Sequence, residues 1–305
     1  MEIIGQYKNG NYSVVLLKDG TKIKIQLDDN ADFTPSRPES IDLKITDKCS
    51  MGCSFCYENC THNGKHGNIL TNSWIDSIPP FMEIAINGND MDHPDLKSFL
   101  LKLKEKKVIT NITVHQKQFI NNFWQIKEYC DEGLLHGIGI SVSEKIHPHL
   151  LPLVDCFPYK ENIVFHLICD IVTPVIMESL KNRDYKILIL GYKEVGRGKN
   201  YMIQSMNLFT RNYNHNWLIE YLHDIRNDFK VVSFDNLALE QLHVKENISQ
   251  DEWDERYMGD DGETSFYIDA VNGIFAKNST VSKDINYPIN GQSIEEMFNV
   301  IKENK

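Results

Sequence analysis

The chain has 305 residues, enough for about two domains or for one domain with extensions. Its hydrophobic (41%) and charged (25%) fractions are those of a globular protein, and no stretch approaches the 18 apolar residues of a transmembrane helix. The first residues lack the basic and apolar regions of a signal peptide, which favours a cytoplasmic protein without a membrane partner. The net charge of −11 argues against bulk nucleic acid as a partner.

The first forty residues predict a small β-structure. Hairpin turn signals stand at Asn9-Gly10 and at Asp19-Gly20, and the segments beside them are β-branched or alternate in polarity. A polar segment with two prolines, Asp28–Glu39, then predicts a linker. We therefore expect an N-terminal β-module with its linker over residues 1–39.

From Ser40 onward, short apolar runs alternate with amphipathic helical patterns such as Asp95–Lys106 and Gln116–Glu132. The six candidate strands are Ile41–Ile45, Met82–Ile86, Val108–Val114, Gly137–Val142, Ile163–Ile168 and Lys186–Leu190. Six β–α units in series predict an α/β fold with a parallel sheet, either open or curved into a partial barrel. Active residues of such folds lie at the carboxyl ends of the strands.

The last part of the chain, from about Val231, is less regular. A helix over Asn212–Asp228 precedes it, and Val231–Phe234 predicts a further strand. Ser265–Ala270 and Gly273–Ala276 predict a hairpin. Ser293 and Glu296 have the spacing of a capping box, which predicts a final helix.

Four of the seven cysteines lie within twelve residues, directly after the first candidate strand. Cys49, Cys53 and Cys56 have the spacing C-x3-C-x2-C, and Cys60 follows. Three thiolates on one loop can hold three irons of a cubane cluster and leave the fourth iron open to a small molecule. An open coordination position distinguishes a catalytic metal from a structural one.

This segment resembles the radical S-adenosylmethionine (radical SAM) superfamily in its cysteine spacing, in the aromatic Phe55 before the third cysteine, and in its place after strand one. The resemblance covers about Ser40–Lys199. It implies that Cys49, Cys53 and Cys56 ligate a [4Fe-4S] cluster whose open iron is chelated by SAM. Reductive cleavage of SAM would then give a 5′-deoxyadenosyl radical that abstracts hydrogen from a substrate.

The resemblance also implies an architecture and partners. A partial (β/α)6 TIM-like barrel would occupy residues 40–230, and a C-terminal cap would occupy residues 231–305. Auxiliary clusters are not expected, because no cysteine follows Cys169. A reductant such as flavodoxin or ferredoxin would supply electrons.

Two other kinds of site compete for the cysteine segment. Cys60 and His62 could complete a zinc site, although zinc ligand pairs usually come from two separate knuckles. With Cys60 the run becomes C-x3-C-x2-C-x3-C, close to that of bacterial ferredoxins, which favours an electron-transfer or cluster-sensing protein. In ferredoxins the fourth cysteine serves a second cluster, for which this chain lacks cysteines. The role of Cys60 stays open.

By resemblance, SAM would contact residues at the carboxyl ends of the strands. The family's Gly-Gly-Glu-like turn is replaced here by Asn87-Gly88-Asn89-Asp90. The cofactor-binding candidates are Phe55, Asn87, Gly88, Asn89, Ser141, Ser143, Ile168 and Gly191. In this region His166 is interpreted as a core histidine. Lys193 and Arg197 are either ligands for an anionic substrate group or solvated loop charges.

The substrate is the least determined part of the prediction. A peptide or protein is slightly favoured, and a nucleotide or small metabolite is the alternative. The polar residues where a substrate lid could lie are Asp235, Glu240, Gln241, Tyr257, Asp260 and Asp261.

Overall fold

The structure is a computed structural model that describes residues 2–26, 32–87, 90–143 and 145–304. Its first three strands form a small antiparallel sheet in the order β1 (Ile3–Asn9), β2 (Tyr12–Leu17) and β3 (Lys22–Gln26). Strand β1 turns into β2 at Gly10, whose φ of 60° glycine adopts without a steric penalty. The strands thus lie where the sequence predicts β-structure. Residues 28–31 of the predicted linker fall outside the described residues.

A larger sheet holds the other ten strands of the described residues, and most of it is parallel. Its order is β10-β9-β8-β7-β6-β5-β4-β11-β12-β13. Strands β4 to β10 are therefore neighbours in chain order, β11 lies parallel to β4, and β12 and β13 are antiparallel additions at one edge. The strands are β4 (Ser40–Lys44), β5 (Glu83–Asn87), β6 (Ile109–His115), β7 (Gly137–Val142), β8 (Ile163–Ile168), β9 (Lys186–Leu190), β10 (Val231–Phe234), β11 (Ser265–Asp269), β12 (Ile274–Ala276) and β13 (Tyr287–Pro288).

This architecture confirms the α/β class. No strand pair joins β10 to β13 within the part of the chain that the structure describes, so the sheet is open. The α-helices of that part are α1 (Ser73–Asp76), α2 (Leu96–Glu105), α3 (Gln116–Asn121), α4 (Phe123–Asp131), α5 (Leu150–Cys156), α6 (Pro174–Leu180), α7 (Arg197–Ile203), α8 (Ser205–Asp228), α9 (Asn236–Gln241), α10 (Gln250–Arg256) and α11 (Ile294–Glu303).

Two helix predictions differ from the structure. The single helix expected over Gln116–Glu132 is two helices that meet at Asn122, whose side-chain amide donates to the carbonyl of Gln118. Such side-chain bonds compete with the regular helix. The helix expected from Asn212 begins earlier, at Ser205. Leu208 and Phe209, which precede the expected start, are exposed (42% and 77%), so they do not form the apolar face by which the sequence indicates a helix. The capping box of Ser293 and Glu296 is present at the start of α11.

The two faces of the parallel strands differ in polarity. On one face, residues such as Ile84, Ile112 and Ile187 are fully buried in the main hydrophobic core with the helices. The residues that alternate with them are partly exposed and often polar, including Asp42 and Ser141. Parallel sheets are usually covered on both faces. The accessible polar face therefore indicates a place for a ligand.

Candidate functional site

The three spaced cysteines lie on the loop that follows β4. Cys49, Cys53 and Cys56 are thiols rather than disulfides and are partly exposed. The loop folds back on itself, because the amide of Cys49 donates to the carbonyl of Thr61 (2.7 Å) and the amide of Cys56 donates to the carbonyl of Cys53 (3.2 Å). The structure thus gathers the three thiols at the carboxyl end of the first parallel strand.

The sulfur spacing bears on the kind of metal that the loop could hold. Around one tetrahedral zinc ion, thiolate sulfurs lie about 3.8 Å apart. The Sγ atoms of Cys49, Cys53 and Cys56 are not all within 4.8 Å of one another, and no triad with Cys60 or His62 meets that distance among the described residues. In this conformation the loop therefore does not present the closely spaced ligands of a single zinc ion.

Cys60 lies against the third cysteine. Its thiol is 9% exposed and hydrogen-bonds with the sulfur of Cys56. This bond lowers the pKa of Cys56 to about 6, while the same bond and burial raise the pKa of Cys60. Burial, followed by the neighbouring Cys56 and Cys49, raises the pKa of Cys53. Cys56 is thus the thiol of this group that is most ready to bind a metal as thiolate.

Arg197 fastens the cysteine loop to the segment after β9. Its Nε donates to the carbonyl of Cys53 (3.0 Å), its Nη1 donates to the carbonyl of Cys60 (3.0 Å), and its backbone amide donates to the carbonyl of Cys56 (3.0 Å). The preceding Gly196 has a φ of 58°, and a Cβ there would lie 2.3 Å from the carbonyl oxygen of Tyr57. The guanidinium group of Arg197 therefore binds backbone carbonyls, and is neither a ligand for an anionic substrate group nor a solvated loop charge. The glycines on either side of Arg197 are the sequence signal for this close approach.

A buried ion-pair network fastens the other side of the loop. The ammonium group of Lys44 contacts the carboxylates of Asp47 (2.6 Å), Glu58 (3.0 Å) and Asp269 (3.1 Å). Burial alone would lower the pKa of Lys44, but these carboxylates outweigh burial and raise it. Glu58 also contacts Lys283 (2.7 Å). The network joins the cysteine loop to β11 and to the segment after β12, and the sequence analysis missed it.

The predicted SAM contacts fall at the same end of the sheet where they are described. Asn87 ends β5, Ser141 lies near the end of β7 on the accessible face, and Ile168 ends β8; all are partly exposed. Ser143 follows β7 directly. Gly88 and Asn89 lie outside the described residues.

The other two SAM candidates already have protein partners. The ring of Phe55 packs edge-on against that of Tyr201, with centroids 5.9 Å apart. Gly191 is buried, and its amide donates to Oδ1 of Asp235 (2.8 Å). A SAM contact at Gly191 would therefore use its carbonyl group.

His166 lies on the accessible face of β8, with its ring against Gly139 of β7. A Cβ on Gly139 would lie 2.4 Å from that ring, so glycine is required there. Burial lowers the pKa of His166 to about 4, so its imidazole is neutral at physiological pH. The ring can offer a hydrogen bond to a ligand without bringing a charge.

A cavity of about 740 Å³ lies between the sheet and the C-terminal part of the chain. Its wall takes Asp42 from β4, Lys193 from the segment after β9, and Asp235 from the end of β10. Of the six residues predicted for a substrate lid, Asp235, Glu240, Tyr257, Asp260 and Asp261 line it, and Gln241 does not. The ammonium group of Lys193 lies 4.2 Å from the ring centroid of Tyr57, the residue after Cys56. Lys193 thus links the cavity wall to the cysteine loop.

Asp42 lines this cavity and is solvent-exposed. Desolvation by the surrounding protein raises its pKa to about 6, Lys193 partly opposes that change, and Asp261 adds to it. Asp235 likewise has a pKa raised by burial. The pKa values of both carboxyl groups therefore lie above the ordinary value for aspartate.

The chain was compared with known proteins. Models of protein families gave no match, and curated proteins gave none either. Among the described helices, none combines the length and the apolar character that a membrane crossing requires.

Proposed function

We propose that the protein is a radical SAM enzyme. The observation that carries the proposal is a C-x3-C-x2-C loop at the carboxyl end of the first strand of a parallel sheet, with three partly exposed thiols. Three cysteines leave one iron of a four-iron cluster without a protein ligand. The partly exposed loop lets a small molecule reach that iron.

We also propose that the sheet is a partial (β/α)6 barrel over residues 40–230, capped by residues 231–305. Strands β4 and β10 are six steps apart in the sheet, which is about 29 Å if the sheet is flat. Asp42 on β4 and Asp235 after β10 nevertheless line one cavity and interact electrostatically. A strongly curved sheet accounts for both observations.

The donor set of the loop fits the cluster. Its thiols are not in disulfides, are partly exposed and lie on one loop, and Cys56 has a lowered pKa. When bound there, a [4Fe-4S] cluster and SAM supply the reductive cleavage of the sulfonium to methionine and a 5′-deoxyadenosyl radical, which takes hydrogen from the substrate. A flavodoxin-like or ferredoxin-like reductant in a cytoplasmic setting would serve this chemistry.

The surrounding residues hold the loop in place. Arg197 fixes three of its carbonyl groups, and Lys44 ties Asp47 and Glu58 to β11. We assign SAM to the carboxyl ends of β5 to β9, where Asn87, Ser141 and Ile168 offer polar and apolar contacts. The neutral imidazole of His166 lines the same face and can orient a bound ligand.

The substrate would occupy the cavity of about 740 Å³, a size that suits a small molecule or a peptide side chain. A peptide or protein is favoured, because the cavity opens between segments of the C-terminal cap. A nucleotide or small metabolite remains the alternative. The carboxyl groups of the wall would position polar groups of the substrate and exclude bulk water from the radical.

One observation favours a second function. Cys60 lies beside Cys56 and could become a fourth ligand, which would give a fully ligated cluster for electron transfer or sensing. Anaerobic reconstitution followed by electron paramagnetic resonance distinguishes the two. We expect about four irons per chain and a spectrum of the reduced cluster that SAM changes. A spectrum that SAM leaves unchanged, together with loss of the cluster in Cys60→Ala, would establish the second function instead.

A further inference from the structure

A second group of potential metal ligands lies away from the cysteine loop. Cys169 and Asp170 directly follow β8, and His215 projects from the middle of α8. The side chains of Cys169 and Asp170 are buried, with 0% and 1% exposure, and that of His215 is 26% exposed. One ligand atom of each residue lies within 4.8 Å of the other two.

The thiol and the imidazole both contact one carboxylate oxygen. Oδ1 of Asp170 accepts from Nδ1 of His215 at 2.8 Å and from Sγ of Cys169 at 3.2 Å. Around tetrahedral zinc, sulfur, nitrogen and oxygen ligands lie about 3.4–3.6 Å apart. The two observed distances are those of hydrogen bonds, and they are a few tenths of an ångström shorter than these ligand separations.

The second carboxylate oxygen of Asp170 is held from the same helix. Nε of Arg211 donates to Oδ2, and the side-chain amide of Asn214 donates to the backbone carbonyl of Asp170 (3.3 Å). Arg211, Asn214 and His215 have the i, i+3, i+4 spacing of one helix face. Metal-binding carboxylates are commonly oriented by such hydrogen bonds, which their free oxygen accepts. The carboxylate is thus turned with Oδ1 towards the thiol and the imidazole.

We propose that Cys169, Asp170 and His215 bind a zinc ion. The mixture of one sulfur, one nitrogen and one oxygen donor suits zinc, and a fourth position would be open on the partly exposed side of His215. Zinc displaces the thiol proton of Cys169 to solvent and bonds the thiolate. Its bond to Nδ1 of His215 leaves the proton of the neutral imidazole on Nε2.

This site is separate from the cluster and does not depend on the proposed function. Its effect would be to clamp α8 to the end of β8, where Ile168, a predicted SAM contact, immediately precedes Cys169. The tight group is also the opposite of the cysteine loop, whose sulfurs are spread apart. A single ion and a cluster are therefore assigned to different thiols of one chain.

The test measures zinc and iron together in the full chain. After anaerobic reconstitution of the cluster, the protein is equilibrated with Zn²⁺, and bound zinc and iron are determined by mass spectrometry. We expect one zinc per wild-type chain, with zinc lost from Cys169→Ala and His215→Gln while iron is unchanged. Cys130→Ala, which alters another buried thiol, is the matched control and keeps its zinc.

Wild-type protein without bound zinc, or zinc retained in both variants, would overturn the proposal. If Cys169→Ala does not fold, His215→Gln carries the test, because it changes a partly exposed side chain. Arg211→Gln is expected to weaken zinc binding by about 10–100-fold through loss of orientation of the carboxylate. In a chain with Cys49, Cys53 and Cys56 replaced by alanine, Co²⁺ should show a thiolate charge-transfer band that Cys169→Ala removes; a band that survives this change would also overturn it.

Discussion

A buried ion-pair network lies at each end of strand β4. The central residue of the first network is an anion, and that of the second is a cation. Before the strand, the carboxylate of Glu39, 2% exposed, contacts Lys22 (3.1 Å) and Lys24 (3.0 Å). At its last residue, the ammonium group of Lys44, 5% exposed, contacts three carboxylates. In both networks a buried charge is neutralised by side chains of opposite charge.

The partners show that the two networks stabilise different parts of the molecule. Glu39 is held by β3 and by the hydroxyl of Tyr12, so its network fastens the N-terminal sheet. Lys44 is held by the cysteine loop and by β11. In parallel α/β folds the amino end of the strands serves stability and the carboxyl end serves chemistry. Changes at the first end should therefore spare the cluster, and changes at the second should not.

The largest effect is expected from Cys53→Ala. Because the proposed cluster depends on three thiolates, loss of one should reduce bound iron and acid-labile sulfide to near zero after reconstitution. Cys156→Ala, the same change at an exposed thiol at the end of α5, should keep both at the wild-type level. Full iron and sulfide content in Cys53→Ala would contradict the ligand assignment.

Lys44→Met should disturb both stability and the cluster. It leaves the carboxylates of Glu58 and Asp269 buried without their shared cation, which should lower the free energy of unfolding by about 3–5 kcal/mol and speed the loss of iron to a chelator. Lys97→Met removes an ammonium group that also contacts two carboxylates but is 43% exposed. That control should change the stability little, because ion pairs of exposed side chains contribute little to it. Equal losses of stability in Lys44→Met and Lys97→Met, measured by denaturant titration, would refute the distinction between the buried and the exposed ion pairs.

Glu39→Gln should lower stability without affecting the cluster. Loss of its charge-assisted contacts should cost about 1.5–3 kcal/mol in the free energy of unfolding. Burial alone would raise the pKa of Glu39, but Lys22 and Lys24 outweigh burial and lower it. The stability that Glu39 provides is therefore present at neutral pH and is lost as the pH falls through this lowered pKa. Iron release as fast as in Lys44→Met would argue against the separation of the two ends.

Arg197→Ala should loosen the cysteine loop, because the carbonyls of Cys53 and Cys60 lose their guanidinium partner. Each such bond is worth about 1.5–3 kcal/mol, so iron should be released faster to a chelator. Arg197→Lys should restore part of this retention, since one ammonium group can reach one carbonyl. Lys199→Ala, at an exposed residue of the same helix, is the matched control. Iron release as slow in Arg197→Ala as in the wild type would contradict the positioning role of Arg197.

The smallest effect is a pH dependence at Asp42. Burial raises its pKa to about 6, above the usual value of about 3.9. The folded protein therefore binds more protons between these values, and its stability falls as the pH rises from 4 to 6. Asp42→Asn lacks this loss, so its melting temperature relative to wild type should increase across that window and stay constant above it. A difference independent of pH would contradict the raised pKa.

The strands could be predicted closely from the sequence, because apolar alternation is a local signal. Gly137–Val142, Ile163–Ile168, Lys186–Leu190 and Val231–Phe234 have the predicted bounds. The break at Asn122 was not predictable in this way, since its residue type is tolerated inside helices and only its side-chain bond to Gln118 reveals the break.

The cysteines of the candidate site could be identified from the sequence, but the residues that support their loop could not. The spacing of Cys49, Cys53 and Cys56 is local, whereas Arg197 lies 137 positions from Cys60 and Asp269 lies 225 positions from Lys44. Such contacts depend on the fold. A charged residue in a sequence has the same appearance whether it is solvated or buried.

The most direct test of the account is anaerobic cleavage of SAM. The reconstituted protein is mixed with dithionite and SAM, and 5′-deoxyadenosine is measured by chromatography beside Cys53→Ala. We expect this product from the wild-type protein and none from the variant. A four-iron cluster that is reduced but yields no 5′-deoxyadenosine, both in the wild type and in Cys60→Ala, would contradict radical SAM chemistry.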